Sequence, residues 1–272
     1  MKNLEKMSPT EVLAITSGQL PAFKECVKYT LQDLVLRNHL NVYTEGSEDG
    51  VPIYYVEITD RSRIESCTPV EYRFLKLYAS DEEIAWPLKD MIKEVVRNGR
   101  PNHALRKEVR EAIAPYITRS FWQKLTGGYT LNRQGERLHA ELTRELEAVR
   151  KLVAETGEDE TEKLAALSSA IGANLMVAIS TDTELMGRVE SAMRSQHGER
   201  MYETSDSYTM GDVFLGAIVY DTVFDSSLNS CYDASCSETS GWSSGGGCSG
   251  DAGDGGGCSG CGSGCGGGCG GD

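Results

Sequence analysis

The sequence has little of what enzymes most often use for catalysis. Its 272 residues include only four histidines, and their positions, 39, 103, 139 and 197, do not show the short spacing of metal ligands. It contains no nucleophile elbow, no phosphate-binding loop and no paired-carboxylate motif. Two glycine runs, 245–247 and 255–257, follow no strand and open no helix, which argues against a dinucleotide-binding loop. We therefore expect a protein that is not an enzyme.

Long apolar runs are missing as well. Residues 1–10 carry charges and lack the apolar centre of a secretory signal. The longest uncharged stretch of the first 200 residues, 164–181, has the length of a membrane span but contains Ser, Asn, Gly and Thr. We interpret it as a buried helix and expect no membrane span. By default we expect a cytoplasmic protein, whose cysteines stay reduced.

Basic residues are absent from the last quarter of the chain. All 27 Lys and Arg lie in residues 1–200, whereas residues 201–272 carry only acidic charges. The cysteines divide in the same way, because Cys26 and Cys67 lie in the body and the other seven lie between Cys231 and Cys269. The net charge of −14 disfavours non-specific wrapping of nucleic acid by the whole chain. Two chemically different parts therefore share one chain.

The first part of the body has a pattern typical of a winged helix. Ser8-Pro9-Thr10-Glu11 matches the capping box that begins a helix, with proline at the first helical position. A second helix is predicted over about 21–38. Two strands follow, Leu40–Tyr43 and Ile53–Ile58, separated by a polar turn.

The second part repeats this order at larger scale. Thr68-Pro69-Val70-Glu71 is the same helix start, and the apolar spacing predicts helices at 69–79, 86–97 and 103–116. A hairpin of Phe121–Leu125 and Tyr129–Leu131 is predicted next, followed by a long helix to about Glu155.

Beyond residue 156, helices are predicted over 161–180 and 182–195. The short apolar segment Val213–Phe224 is expected to dock on the body as a strand or helix, the alternative being a separate functional element. From residue 226 onward the composition is mainly Gly, Ser, Cys and Asp. Such a segment cannot bury enough apolar surface to offset the conformational entropy that it would lose on folding.

The predicted fold class is mainly α with small β-hairpins. It comprises tandem winged-helix-like units over 1–66 and 67–156, a helical C-terminal part and linker over 157–225, and a disordered Cys/Gly-rich tail over 226–272.

The cysteines of the tail are the first candidate site. Cys258-x2-Cys261 has the spacing of zinc or iron–sulfur ligands, and two more cysteines follow at x3 intervals. The thiolates could bind Zn or Cu(I) loosely, although the tail offers no histidine and no apolar support. Enzymatic modification, disulfide crosslinking and a tail without a fixed role are the alternatives. The candidate ligands are Cys248, Cys258, Cys261, Cys265 and Cys269.

A basic stretch over 87–124 is the second candidate site. It holds nine basic residues against four acidic ones and is flanked by Trp86 and Trp122. On a winged helix it could contact the phosphates of DNA or of a lipid headgroup, and the overall acidity weakens the DNA version. The alternative is a solvated helical face with ion pairs along the helix. The candidate anion-binding residues are Arg97, Arg100, Arg106, Lys107 and Arg110.

The two cysteines of the body have simpler interpretations. Cys26 lies on the apolar side of a predicted helix, where it would be a small buried hydrophobe. Cys67 precedes a helix start, a position that can lower the pKa of a thiol, and the alternative is an ordinary loop cysteine.

Several of these segments resemble a family of bacterial proteins in which a shared N-terminal domain precedes a Gly/Cys-rich C-terminus. The matching pieces are Ser8–Ala14 with Ser17-Gly18, Leu31–Arg37 with Leu40, Thr68–Glu71, and the tail GGGCSGCGSGCGGGCGG. The resemblance implies that the tail is a substrate for modification and implies no particular activity for the body. Many members carry membrane spans between domain and tail. This chain departs from that pattern, since we expect no span in it.

A weaker similarity is to the Golgi-phosphoprotein-like fold, through LQDLVLRNHLNVY and PLKDMIKEVV. It implies a phosphoinositide-type headgroup site that uses Trp and Arg, without a residue-by-residue match.

Taken together, the sequence predicts a non-enzymatic protein that presents its tail to an unidentified protein partner or modifying enzyme. The alternative is a regulator or anionic-surface binder that uses the basic face.

Overall fold

The computed structural model describes residues 1–46, 52–79, 85–99, 104–157 and 160–189. It confirms a mainly α architecture with small antiparallel sheets. The tail and the segment Val213–Phe224 lie outside the described residues. The division into tandem winged-helix-like units stays a prediction.

Capping boxes begin two helices where the sequence predicts them. In α1, Pro9–Ser17, the Ser8 hydroxyl accepts from the Glu11 N–H, and the Ser8 N–H donates to the Glu11 carboxylate at 2.8 Å. The helix ends at Gly18, whose φ of 69° is left-handed. In α4, Pro69–Leu75, Thr68 and Glu71 repeat the reciprocal pair. Both predicted helix starts are confirmed.

The first hairpin is also confirmed, and a third strand extends it. After α2, Phe23–Leu36, strands β1, Leu40–Gly46, and β2, Pro52–Ile58, pair antiparallel. Strand β3, Ala85–Pro87, then pairs with the other edge of β2, placing Val56 opposite Trp86. The helix predicted from residue 86 therefore begins two residues later, because the chain is first paired as a strand.

Shorter helices surround this sheet. They are α3, Arg63–Ser66, α5, Leu88–Gly99, and α6, Ala104–Ala112. One turn of 3-10 helix follows α4 at Lys76–Tyr78, and another follows α6 at Ala114–Tyr116. The predicted helices over 69–79 and 103–116 are thus each an α-helix that tightens at its end.

The second predicted hairpin is wrong in its first strand, whereas its second strand, Tyr129–Leu131, contains one of the two observed strands. Strands β4, Ile117–Thr118, and β5, Thr130–Leu131, form the pair, whereas Phe121–Thr126 is a helix, α7. The cause is local: the Ser120 hydroxyl accepts from the Gln123 N–H, and the Ser120 N–H donates to the Gln123 side chain at 2.8 Å. Gly127, with φ of 79°, ends the helix.

A long helix carries the C-terminal part of the described chain. Helix α8, Arg133–Glu155, begins at Asn132, whose side chain accepts from two backbone N–H groups. Helices α9, Thr161–Ile171, and α10, Asn174–Ile179, follow, and residues 183–189 are helical. The predicted helix over 161–180 is therefore interrupted at Gly172. Within the described residues, no helix is long and apolar enough to cross a membrane.

One apolar core joins residues from Leu4 to Val189. Leu31 and Phe74, which come from the two predicted units, are both fully buried in it. The N-terminal segment is fixed to the C-terminal helices. Glu145 accepts from the backbone of Asn3 and Leu4, and Asn174 donates to the Leu4 and Met7 carbonyls.

A buried carboxylate fastens α2 to the turn between α9 and α10. The Asp33 carboxylate pairs with Arg37 at 3.1 Å and accepts from the Ala173 N–H at 2.8 Å. Burial raises the pKa of Asp33 to about 6, against the lowering effect of the Arg37 charge. Gly172, at φ of 57° and ψ of −141°, lies directly on this pair.

Candidate anionic-surface site

Helix α6 places two of the predicted anion-binding residues side by side. Leu105 and Val109 are fully buried and fix the inner face of the helix. Arg106 and Arg110 each follow one of them and stand four residues apart, so they are neighbours on the helix surface. Both are partly buried, because α6 packs against α1, α2 and α4.

The acidic residues of α6 are engaged elsewhere. Glu108 is held by the guanidinium of Arg73 from α4, whose Nε donates to both carboxylate oxygens at 2.9 and 3.0 Å. Glu111 lies 3.7 Å from Lys107. Within the described part of the chain, no hydrogen bond or ion pair engages Arg110, and the buried Nε of Arg106 has no acceptor. Neither guanidinium thus forms an ion pair with a described carboxylate.

A third arginine adds its charge to this pair. Burial lowers the pKa of Arg110. The positive charges of Arg119 and Arg106 lower it further, against the raising effect of the Glu111 carboxylate. Arg119 comes from the loop after β4. Its guanidinium donates to the Gly128 and Gln123 carbonyls, each at 3.2 Å. It therefore links the loop before α7 to the helix itself and to the turn that follows it.

Helix α7 carries the most exposed apolar side chains of the described structure. Phe121, Trp122 and Leu125 are 70%, 73% and 66% exposed. The two aromatic rings pack edge to face with centroids 5.8 Å apart. A single exposed apolar residue is ordinary, whereas three on a six-residue helix form a cluster. We call the following set the basic–apolar patch: Arg106, Arg110, Arg119, Phe121, Trp122 and Leu125.

The other predicted anion-binding residues do not join this patch. Arg97 is exposed and pairs with Glu94 at 2.8 Å on its own helix, and Lys107 faces Glu111. These two fit the alternative of a solvated, ion-paired face. Arg100 lies outside the described residues. Trp86, which flanks the stretch, is partly buried and donates to the Leu77 carbonyl.

Sequence reasoning noted Arg119 and Trp122 without selecting them as site residues. The available signal was the helix start at Ser120 with Gln123, since a capped helix of FWQKLT must expose part of its apolar content. The approach of Arg119 to Arg110 depends on how the chain returns after α6, and no local pattern shows it.

The predicted metal ligands, Cys248, Cys258, Cys261, Cys265 and Cys269, all lie outside the described residues. In the ranges that the structure describes, no group of three or more His, Cys, Asp or Glu could hold a metal ion. Cys26 is fully buried, as predicted, and burial raises the pKa of its thiol to about 12. Burial also raises the pKa of Cys67, which agrees with an ordinary loop cysteine and not with the alternative of a lowered pKa at that helix start.

An open cleft of about 420 Å³ lies between the C-terminal half of α8 and residues 182–188. Several of its charged side chains are engaged by other groups. Arg150 contacts Asp182 at 3.2 Å, and Arg188 donates to the Val153 and Ala154 carbonyls. These contacts close the end of α8, which makes the cleft a weaker candidate for ligand binding than the basic–apolar patch.

Comparison with known proteins gives no match. No protein-family model, no curated protein and no solved structure matches this chain.

Proposed function

We propose that the folded body binds an anionic membrane surface through the basic–apolar patch and holds the Cys/Gly-rich tail there. Two observations carry the proposal. Arg106 and Arg110 lack partners among the described residues, and the charge of Arg110 interacts with that of Arg119, which contacts the helix that exposes Phe121, Trp122 and Leu125.

The two halves of the patch match the two layers of a membrane interface. Each Arg near an anionic bilayer surface contributes about 1 kcal/mol of attraction. Tryptophan and phenylalanine favour the boundary between headgroups and acyl chains. Nucleic acid would use the arginines but would leave the apolar side chains of α7 without a role. The net charge of −14 opposes both ligands, so binding has to come from the local charge and the exposed apolar side chains of the patch.

The test is co-sedimentation with vesicles of anionic or neutral lipid. The double variant Arg106→Gln and Arg110→Gln should bind anionic vesicles about 30-fold more weakly, since it removes about 2 kcal/mol of attraction. The matched control is Arg97→Gln with Lys107→Gln, which makes the same change in net charge outside the patch. Far-UV circular dichroism checks that each variant is folded.

Equal losses in the two double variants would show that the patch has no special role. Unchanged binding in Trp122→Ser would remove the apolar half of the proposal. Binding to duplex DNA at the same salt concentration, with no binding to vesicles, would support the nucleic-acid alternative instead.

The tail supports a second proposal, that its cysteines are modified or bind a soft metal such as Zn or Cu(I). The observation that favours it is the closely spaced set Cys258, Cys261, Cys265 and Cys269, separated mainly by glycine. The protein would then be a non-enzymatic carrier, and its partner a modifying enzyme or another protein.

Intact mass of protein from its native host tests this second proposal. A mass shift that persists after denaturation and reduction indicates covalent modification, and a shift only in the native spectrum indicates a bound metal. The control replaces the four cysteines by serine, which should abolish either shift. An unshifted mass in every condition would contradict the second proposal and leave the first unaffected.

A further inference from the structure

The tail of the chain carries a segment whose chemistry mirrors the basic–apolar patch. Residues 212–225 have the sequence DVFLGAIVYDTVFD, an apolar stretch with Asp212 before it and Asp221 and Asp225 at its other end. The patch has the complementary composition: α7 exposes three apolar side chains, Arg119 contacts that helix, and the charges of Arg119 and Arg106 act on Arg110. We propose that residues 212–225 dock on the basic–apolar patch of the same chain.

Charge complementarity favours this segment over the rest of the tail. Residues 201–272 contain no Lys or Arg, so nothing in the tail repels the arginines of the patch. Apolar residues are concentrated in 213–224, whereas the stretch from Gly245 onward is mainly Gly, Ser and Cys. Only the first of these two stretches can cover the exposed rings of Phe121 and Trp122.

The length of the chain allows the contact. The patch lies near the start of α8, because β5 leads directly into that helix, whereas residues 182–188 contact its last two turns. Helix α8 has 23 residues and is therefore about 34 Å long. The residues between 189 and 212 can span about 70 Å when extended. Docking within one chain is thus geometrically possible and needs no second copy.

The consequence is competition for the patch. The docked segment and an anionic membrane surface would use the same arginines and the same apolar side chains. An intramolecular ligand acts at an effective concentration of about 1 mM, which makes even a weak contact a strong competitor. Docking would therefore lower membrane affinity until the segment is displaced or held by a partner.

Photocrosslinking in the full chain tests the docking itself. In the variant Phe121→p-benzoyl-phenylalanine, illumination should crosslink position 121 to residues 212–225, mapped by peptide mass spectrometry. The control places the same group at Leu152, which is 41% exposed near the end of α8 and closer to the start of the tail. Random collisions of the tail would label position 152 at least as strongly.

A mixture of isotope-labelled and unlabelled protein identifies the occupant. Crosslinks only within one isotope confirm docking inside the chain. Mixed-isotope crosslinks would show that a second copy occupies the patch and would overturn the proposal. A failure to crosslink residues 212–225 from position 121 would overturn it as well, whatever the result with vesicles.

Vesicle binding by full-length variants tests the competition, which rests on the proposed membrane function. Asp212→Asn, Asp221→Asn and Asp225→Asn together should raise affinity for anionic vesicles about tenfold. The matched control is Glu238→Gln, Asp251→Asn and Asp254→Asn, with the same change in net charge farther along the tail. Equal effects of the two triple variants would contradict competition. Crosslinking to residues 212–225 without any vesicle binding would uphold docking and reject only the membrane function.

Discussion

Replacing Gly172 by alanine should be among the most damaging single-methyl additions to this fold. A Cβ at this position would lie 1.9 Å from Asp33 Oδ1 and 2.6 Å from Arg37 Nε. Real Cβ atoms do not approach other atoms so closely, so the pair of charges would have to move. The backbone of Gly172, at φ of 57° and ψ of −141°, is also one that alanine rarely adopts.

Two separate penalties contribute to the expected loss. The backbone conformation alone costs about 1–3 kcal/mol for a residue with a Cβ. Displacing the Asp33 carboxylate from Arg37 and from the Ala173 N–H disturbs a buried pair, and breaking such a pair costs about 3–5 kcal/mol. Because a shift disturbs the contacts without removing them, we expect Gly172→Ala to lower the free energy of unfolding by about 3–5 kcal/mol.

Urea unfolding followed by circular dichroism measures this loss, and Gly18→Ala is the control. Gly18 also has a positive φ, 69°, but a Cβ there would meet no atom within 4 Å. It should lose only about 1 kcal/mol. In the double variant Asp33→Ala and Gly172→Ala, the combined loss should be smaller than the sum of the two single losses, because the closest of the clashes, that with Asp33 Oδ1, disappears with the carboxylate. Equal losses for Gly172→Ala and Gly18→Ala would refute the reasoning.

Three further changes test other contacts. Gly135→Ala should lower the free energy of unfolding by about 2 kcal/mol or more in urea titrations, since its Cβ would lie 2.1 Å from the Tyr116 carbonyl oxygen; a neutral result would show that the start of α8 can shift. Tyr129→Phe should cost about 1 kcal/mol by the same measurement, because it removes the buried hydrogen bond to the Ala14 carbonyl at 2.5 Å, and no loss would mean that this bond does not stabilise the fold. The pKa of Asp33, about 6 when folded and near 3.8 when unfolded, means that its contribution to stability falls as pH rises from about 4 to about 6. Relative to wild type, Asp33→Asn should therefore gain about 2 kcal/mol between pH 4 and pH 7, and parallel pH profiles would contradict this.

The features that the sequence predicts correctly depend on neighbours a few residues away. The helix starts at Ser8 and Thr68 follow from capping contacts with Glu11 and Glu71, each three residues further along the chain. Four consecutive residues therefore suffice to predict each start. The first hairpin follows from alternating apolar residues on either side of a polar turn. Helix α7 obeys the same rule, and the strand predicted at Phe121–Leu125 is wrong because that prediction took no account of the cap at Ser120.

The remaining features depend on residues far apart in the chain. Strand β3 has three residues, and only its pairing with β2 makes it a strand. Arg97 and Arg106 look alike in the sequence, yet one is solvated beside Glu94 and the other has a buried Nε beneath neighbouring helices. The candidate site could thus be located to the stretch 87–124 from sequence, but its members could be selected only with the fold.

The contacts of Glu145 and Asn174 with Asn3 and Leu4 determine how early during synthesis the body can fold. The partners of Asn3 and Leu4 are made about 140–170 residues after them. The core therefore cannot close until Asn174 has emerged. At least about 100 residues still follow it, which take about 5–20 s to translate. The cysteines of the tail consequently enter the cell beside a body that has had time to fold, and any enzyme acting on them during synthesis would meet the finished surface of that body.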